Sequence, residues 1–276
     1  MKIIGFHTSW GCSEWAVRSL YNHLRICDEI LVSVQAHDEI MVPFGDDTYE
    51  RIAIEFANDE RVKIIPEVFG RGNINTVKCL ILNEMLTYVA PGDVVMLCDA
   101  DEFYDDNSIK EIQSEIDGDW DMLRVYDRFF CINMNYYVGG SHGRFWRIKS
   151  NAKFYPTQNL VPVPVNVKTI LEDNPMFHYS MLQSMERRIA YWTSDSARDS
   201  VQIEWIKNIY NKWNPEGTLD EIRDMAEKNY QLTGNRGFWF NSGVREHETE
   251  YLFRYNGQHP EEIEFSNFRN KKDFRK

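Results

Sequence analysis

Asp93-Val94-Val95-Met96-Leu97-Cys98-Asp99-Ala100-Asp101-Glu102 is the stretch that decides the fold. An unbroken apolar run from Val94 to Cys98 is the pattern of a strand buried on both faces, as in a parallel sheet. It ends abruptly in carboxylates, and open α/β sheets place their ligands just beyond the carboxyl ends of their strands. Pro91-Gly92 stops the segment before it, so the run begins as a new element.

Working upstream, strand and helix patterns alternate. Ile3-Ile4-Gly5-Phe6 reads as a short strand, and Ser13 as the cap of a helix carrying Trp15, Leu20, Leu24 and Ile26. Ile30 to Val34 is a second strand, Asp47 to Ala57 a helix, and Val62 to Pro66 a third strand. Asn75 to Tyr88 has helical apolar spacing through Val77, Leu80, Ile81, Met85 and Leu86. This order predicts an α/β fold with a doubly wound, mainly parallel sheet and right-handed crossovers.

Downstream the pattern changes. A helix is expected over Ser108 to Ile116, then strands over Asp121 to Tyr137 and Gly143 to Ile148, with Gly139-Gly140 as an interruption. These are antiparallel additions to the sheet. Helices are expected over Glu186 to Trp192, Val201 to Trp213 and Leu219 to Tyr230. The expected organisation is a domain over 1–180, divided at 103/104, with a helical C-terminal part over 181–276 packed on it.

The net charge of −12 argues against broad electrostatic binding of nucleic acid, which calls for a basic face. A basic stretch at Arg269 to Lys276 reads either as a solvated tail or as a contact for phosphate or an anionic membrane. The five cysteines have no paired spacing, as expected of reduced thiols in a cytoplasmic protein. The apolar stretch at Ile3-Ile4 is too short for a signal peptide, and no transmembrane segment is expected.

Asp99, Ala100, Asp101 and Glu102 concentrate negative charge that needs a counter-charge. A divalent cation is the simplest, and oxygen ligands suit Mg²⁺ or Mn²⁺ shared with substrate phosphates. An EF-hand loop starting at Asp99 fails, because Tyr104 stands where it needs Gly and Lys110 where it needs Glu. A metal-dependent phosphatase or phosphotransferase using Asp99 as nucleophile stays open as an alternative. It normally wants a hydroxyl residue where Glu102-Phe103 stands.

The segment Gly92-Asp93-Val94-Val95-Met96-Leu97-Cys98-Asp99-Ala100-Asp101-Glu102-Phe103 resembles the acidic signature of glycosyltransferase family 2-like proteins with the GT-A fold. Ser13 to Leu20, Cys27 to Val32, Phe177-His178-Tyr179-Ser180, Asn211 to Pro215 and Gly257-Gln258-His259-Pro260 resemble further segments of that family, in order. The resemblance implies a nucleoside-diphosphate sugar as donor, with transfer to an acceptor hydroxyl on a glycan or lipid-linked saccharide. It implies Asp99 near the ribose or metal, Asp101 as a direct metal ligand, and His178 as a third ligand to Mn²⁺ or Mg²⁺. A structural role for His178 is equally open. A glycosyl transfer to a modified nucleic-acid base is a further variant, lowered by the acidic balance.

The chain departs from the family pattern at Gln35-Ala36-His37-Asp38, so His7 and Thr8 become candidates for the nucleotide base. Arg71 and Asn75 are further nucleotide contacts, or else turn residues in Gly70-Arg71-Gly72-Asn73 and its neighbour. Arg144 and Trp146 should share one strand face, with Phe145 and Arg147 on the other. An arginine there can reach the diphosphate, and Trp146 can stack on a sugar or fill the core. The family generally inverts the anomeric centre, which needs a carboxylate base. Asp127, Glu172 and Asp173 are the candidates.

Overall fold

The computed structural model describes residues 1–9, 12, 15–35, 47–67, 74–130, 136–155, 159–179 and 253–260, with positions 218, 220, 221, 224, 227, 228 and 231. The first elements are β1 (Ile3–Ser9), α1 (Ala16–His23), β2 (Glu29–Val34), α2 (Thr48–Glu55) and β3 (Val62–Ile64). α3 (Ile74–Leu86), β4 (Val94–Asp99), β5 (Glu102–Phe103) and α4 (Asp106–Glu115) follow. β6 (Met122–Phe130), β7 (Tyr136–Arg147), β8 (Lys153–Tyr155), β9 (Asn159–Val161), β10 (Val167–Ile170), β11 (Met176–His178) and β12 (Phe253–Arg254) complete the set.

The fold is the expected one. β3-β2-β1-β4 form a parallel block, and β7 joins β4 antiparallel. β6 runs antiparallel to β7, and its other edge takes β10 along Met122–Val125 and β11 along Asp127–Phe129. β5 caps the end, and the main sheet has ten strands among the described residues. Gly92 turns the chain into β4 at φ 95°, a conformation that favours glycine.

Successive residues of β4 point to opposite faces, and each face has its own core. Val94, Met96 and Cys98 join a cluster with Leu20, Ile52, Ile109 and Ile112 from α1, α2 and α4. Val95 and Leu97 join Val77, Ile81, Leu82 and Met85 from α3, with Phe154 and Leu160 from the β8–β9 hairpin. The sheet is therefore the middle of three layers. α4 starts at a good cap, with Asp105 accepting from the Ser108 backbone N–H at 2.8 Å.

Three expectations are corrected. Gly139-Gly140 does not interrupt a strand: both lie inside β7, paired with Arg128 and Asp127. Glycine is wanted at 140 for clearance, since a Cβ there would lie 2.7 Å from Asp127 Oδ1. Nor do Arg144 and Trp146 share a face. The β6–β7 register slips between Leu123, opposite Phe145, and Arg124, opposite Gly143, leaving Arg144 as the extra residue of a bulge. Trp146 then packs in the core against Phe154, ring centres 6.1 Å apart, and has no face for a sugar.

Finally, β12 returns to the main sheet beside Tyr136–Tyr137, so residues after 181 contribute a strand as well as helix. The helices expected at 186–192 and 201–213 lie outside the described residues. Within the third, Thr218 and Glu221 make a reciprocal capping box, with N–H to side-chain distances of 2.7 and 3.3 Å. Among the described residues no helix is long and apolar enough to cross a membrane, which says nothing of a β-barrel.

Candidate active site

The carboxyl ends of β1, β4, β6 and β11 gather the polar residues. Thr8 and Asp99 face each other across the β1–β4 ladder, and the Thr8 hydroxyl donates to Asp99 Oδ1 at 3.2 Å. From the first turns of α3, Lys78 Nζ donates to the same oxygen at 2.7 Å. The bulge delivers Arg144 from the other side, 3.5 Å from Asp99 Oδ2 and in close contact with Glu102 Oε1. Glu102 and Arg144 are both buried. Burial alone would raise the Asp99 carboxyl, but Lys78 and then Arg144 outweigh it and hold it well below the usual carboxylate range. Burial wins for Glu102, whose pKa is raised although Arg144 opposes it.

His178 ends β11, and its ring sits edge-on to Phe129, centres 4.7 Å apart. Its Nε2 lies 3.7 Å from Asp101 Oδ1, and its Nδ1 lies 3.7 Å from Asp127 Oδ2. Burial would lower this imidazole, yet Asp127, Asp101 and Glu102 push it up to about 9. Asp101 is fixed in turn by its own carbonyl, which accepts from the Tyr179 N–H at 2.8 Å.

Asp127 is buried beside β11 and β7, and among the described residues neither of its oxygens finds a hydrogen bond of good geometry. Its Oδ2 lies 3.4 Å from His142 Nδ1, on a side chain that is 50% exposed. Burial would raise the Asp127 carboxyl, but the neighbouring His142 and His178 hold it well below the usual range.

The structure thus brings together Thr8, Asp99, Asp101, Asp127, Arg144 and His178 of the expected residues. It separates others. His7 is a correction: it points under α1, fully buried, its ring nitrogens against the Ser19 and Ser9 hydroxyls at 2.9 and 2.8 Å. Alternation along β1 puts Thr8 on the ligand side and His7 on the core side. Glu172 and Asp173 are exposed in the turn entering β11, whereas His178 stands at its exit. That turn is held on α4, where Glu111 accepts from the Leu171 N–H at 2.6 Å. Asn75 is exposed at the start of α3, and Arg71 lies outside the described residues. Lys78 and His142 were not expected. A lysine amid the apolar residues Val77, Cys79 and Ile81 was the only signal for the first.

Among the described residues no three His, Cys, Asp or Glu side chains are gathered closely enough to cage a cation alone. The donor chemistry still fits one. Asp101 Oδ1 and His178 Nε2 converge, and the buried Asp127 backs His178 from its other nitrogen, as carboxylates back metal-ligating histidines. Mg²⁺ and Mn²⁺ commonly take their remaining ligands from phosphate and water. Asp99 is instead neutralised by Lys78 and Arg144.

No protein-family model and no curated protein matches the chain. Solved structures that align with parts of the chain include a mannosyltransferase from Pyrobaculum calidifontis in complex with GDP-Man and Mn²⁺, at 17% identity and a TM-score of 0.34. The match covers 46% of this chain and 36% of that one, so this chain spans about a third of its length. A 4-diphosphocytidyl-2C-methyl-D-erythritol synthase aligns at 11% identity over 53% of this chain and 75% of that chain, with a TM-score of 0.35. HddC from Yersinia pseudotuberculosis aligns at 10% identity over 70% and 98%, also at 0.35. Likenesses this distant say nothing of what this chain binds.

Proposed function

We propose that the chain transfers a sugar from a nucleoside-diphosphate sugar to an acceptor hydroxyl, with a divalent cation held by Asp101 and His178. One observation carries this reading. A carboxylate–imidazole pair and two cations, the part-buried Lys78 and the buried Arg144, converge at the carboxyl edge of β4, where an open α/β sheet binds its ligand. The cation supplies charge neutralisation for a departing diphosphate. Arg144 and Lys78 offer fixed donors beside it, oriented in advance by Asp99 and Glu102. Thr8 completes the floor. The acceptor approaches on the side of β6, β7 and His142.

The test is calorimetric titration of GDP and UDP with and without Mn²⁺. Asp101→Ala should weaken Mn²⁺-dependent binding of the preferred nucleotide by about 10–100-fold. Undiminished nucleotide binding in a fully chelated sample overturns the metal role. A phosphoenzyme on Asp99 without nucleotide affinity overturns glycosyl transfer in favour of phosphoryl chemistry.

A further inference from the structure

Asp127 is a buried carboxylate with, among the described residues, no backbone N–H or guanidinium in hydrogen-bonding position on either oxygen. Such a group is costly to bury, and a purely structural aspartate would be tied down. What faces it are imidazoles, with His142 Nδ1 at 3.4 Å and His178 Nδ1 at 3.7 Å. His178 turns its other nitrogen to Asp101. The His142 side chain is 50% exposed while its Nδ1 faces the buried carboxylate, which leaves its Nε2 to meet an incoming molecule. The strand is cleared for this contact. A Cβ on Gly140 would meet Asp127 Oδ1 at 2.7 Å and the His142 ring at 3.5 Å, whereas one on Gly139 would meet nothing.

We infer that His142 is the general base of the transfer, oriented by Asp127. The inference rests on the glycosyl-transfer reading above. The acceptor oxygen bonds to the anomeric carbon as the bond from that carbon to the diphosphate oxygen breaks. The bonding pair leaves with the diphosphate. The acceptor proton passes to His142 Nε2 and from there to solvent, while the Asp127 carboxylate offsets the imidazolium. Distances of this kind commonly shorten when substrate closes a site. Asp127 is a positioning residue here, and the imidazole touches the acceptor.

The experiment measures Mn²⁺-dependent nucleotide affinity and turnover of a panel of nucleoside-diphosphate sugars, with water and simple sugars as acceptors. His142→Ala should keep the nucleotide affinity and lower turnover by about 10²–10⁴-fold. Added imidazole should restore part of the rate, a response no misfolded variant gives. Asp127→Asn should also slow the enzyme, and at saturating Mn²⁺, where its contact to His178 no longer limits metal binding, it should add little to His142→Ala, as residues acting as a unit do. Wild-type turnover in His142→Ala, or a loss that imidazole leaves unrestored, overturns the inference while the donor reading stands. No turnover of any nucleotide sugar by the unmodified chain overturns both.

Discussion

Replacing Arg144 by methionine should test how the site holds its charge. The guanidinium is buried between Glu102 and Asp99. Asp99 keeps Lys78 at 2.7 Å in the variant, so the cost falls mainly on Glu102, which is left buried without its cation. Stranding one partner of a buried pair costs about 3–5 kcal/mol. For a chain of this size that lowers the melting temperature by roughly 6–20 °C. The sign with pH follows from Glu102, whose folded pKa is already raised by burial. A carboxyl that holds its proton more tightly when folded favours the folded state below its unfolded pKa and loses that advantage as pH rises. Removing Arg144 strengthens the effect. The deficit should be largest at pH 8 and shrink towards pH 5, measured by urea unfolding at both, and Glu102→Gln in the same chain should recover much of it. A deficit below about 1 kcal/mol at pH 8, or one equally large at pH 5, would refute the pairing as the cause.

Lys78→Met removes the shortest contact to Asp99 and should cost about 1–3 kcal/mol at neutral pH. The Asp99 carboxyl is depressed in the fold, so its stabilisation is present above the unfolded carboxylate range and lost as pH falls. Wild-type and variant unfolding curves should therefore converge in acid, and a gap that widens there would contradict this. Gly140→Ala should displace Asp127 and cost about 1–3 kcal/mol by overpacking. Thermal melts and turnover measured together should fall together; an unchanged rate would mean that the Asp127 position does not matter.

Most of the parallel half could be read from the chain, because each of its strands is a run of apolar residues and each helix a periodic one. Val94 to Cys98 needs both faces covered, and helices on two sides, with the β8–β9 hairpin, supply that. The acidic end of β4 and the approach of His178 were visible for the same reason and from the family resemblance. The antiparallel half was less legible. A single bulged residue at Arg144 shifts the phase of β7, so alternation counted from Phe145 misplaces Arg144 against Trp146. Gly140 looks like a break in sequence, but it is clearance for a carboxylate on the neighbouring strand. His7 shows the limit of strand-end reasoning: one residue from Thr8, it faces the opposite layer. His142 gave no signal, since its meaning comes from Asp127, a partner brought opposite by a hairpin register.

Tyr255 packs edge-on and His259 tilted against Phe130 and Phe177, and the Tyr179 hydroxyl meets His259 Nδ1 at 2.6 Å. Tyr179 follows His178 directly and its N–H holds the Asp101 carbonyl. A chain made from its amino end therefore lays down β1, β4 and the acidic residues early, and receives the outer buttress of the Asp101–His178 pair only when residues 253–260 emerge. The parallel strands and the outer support of the acidic pair thus come from parts of the chain made at different times, and ribosome-bound chains should complete the first before the second.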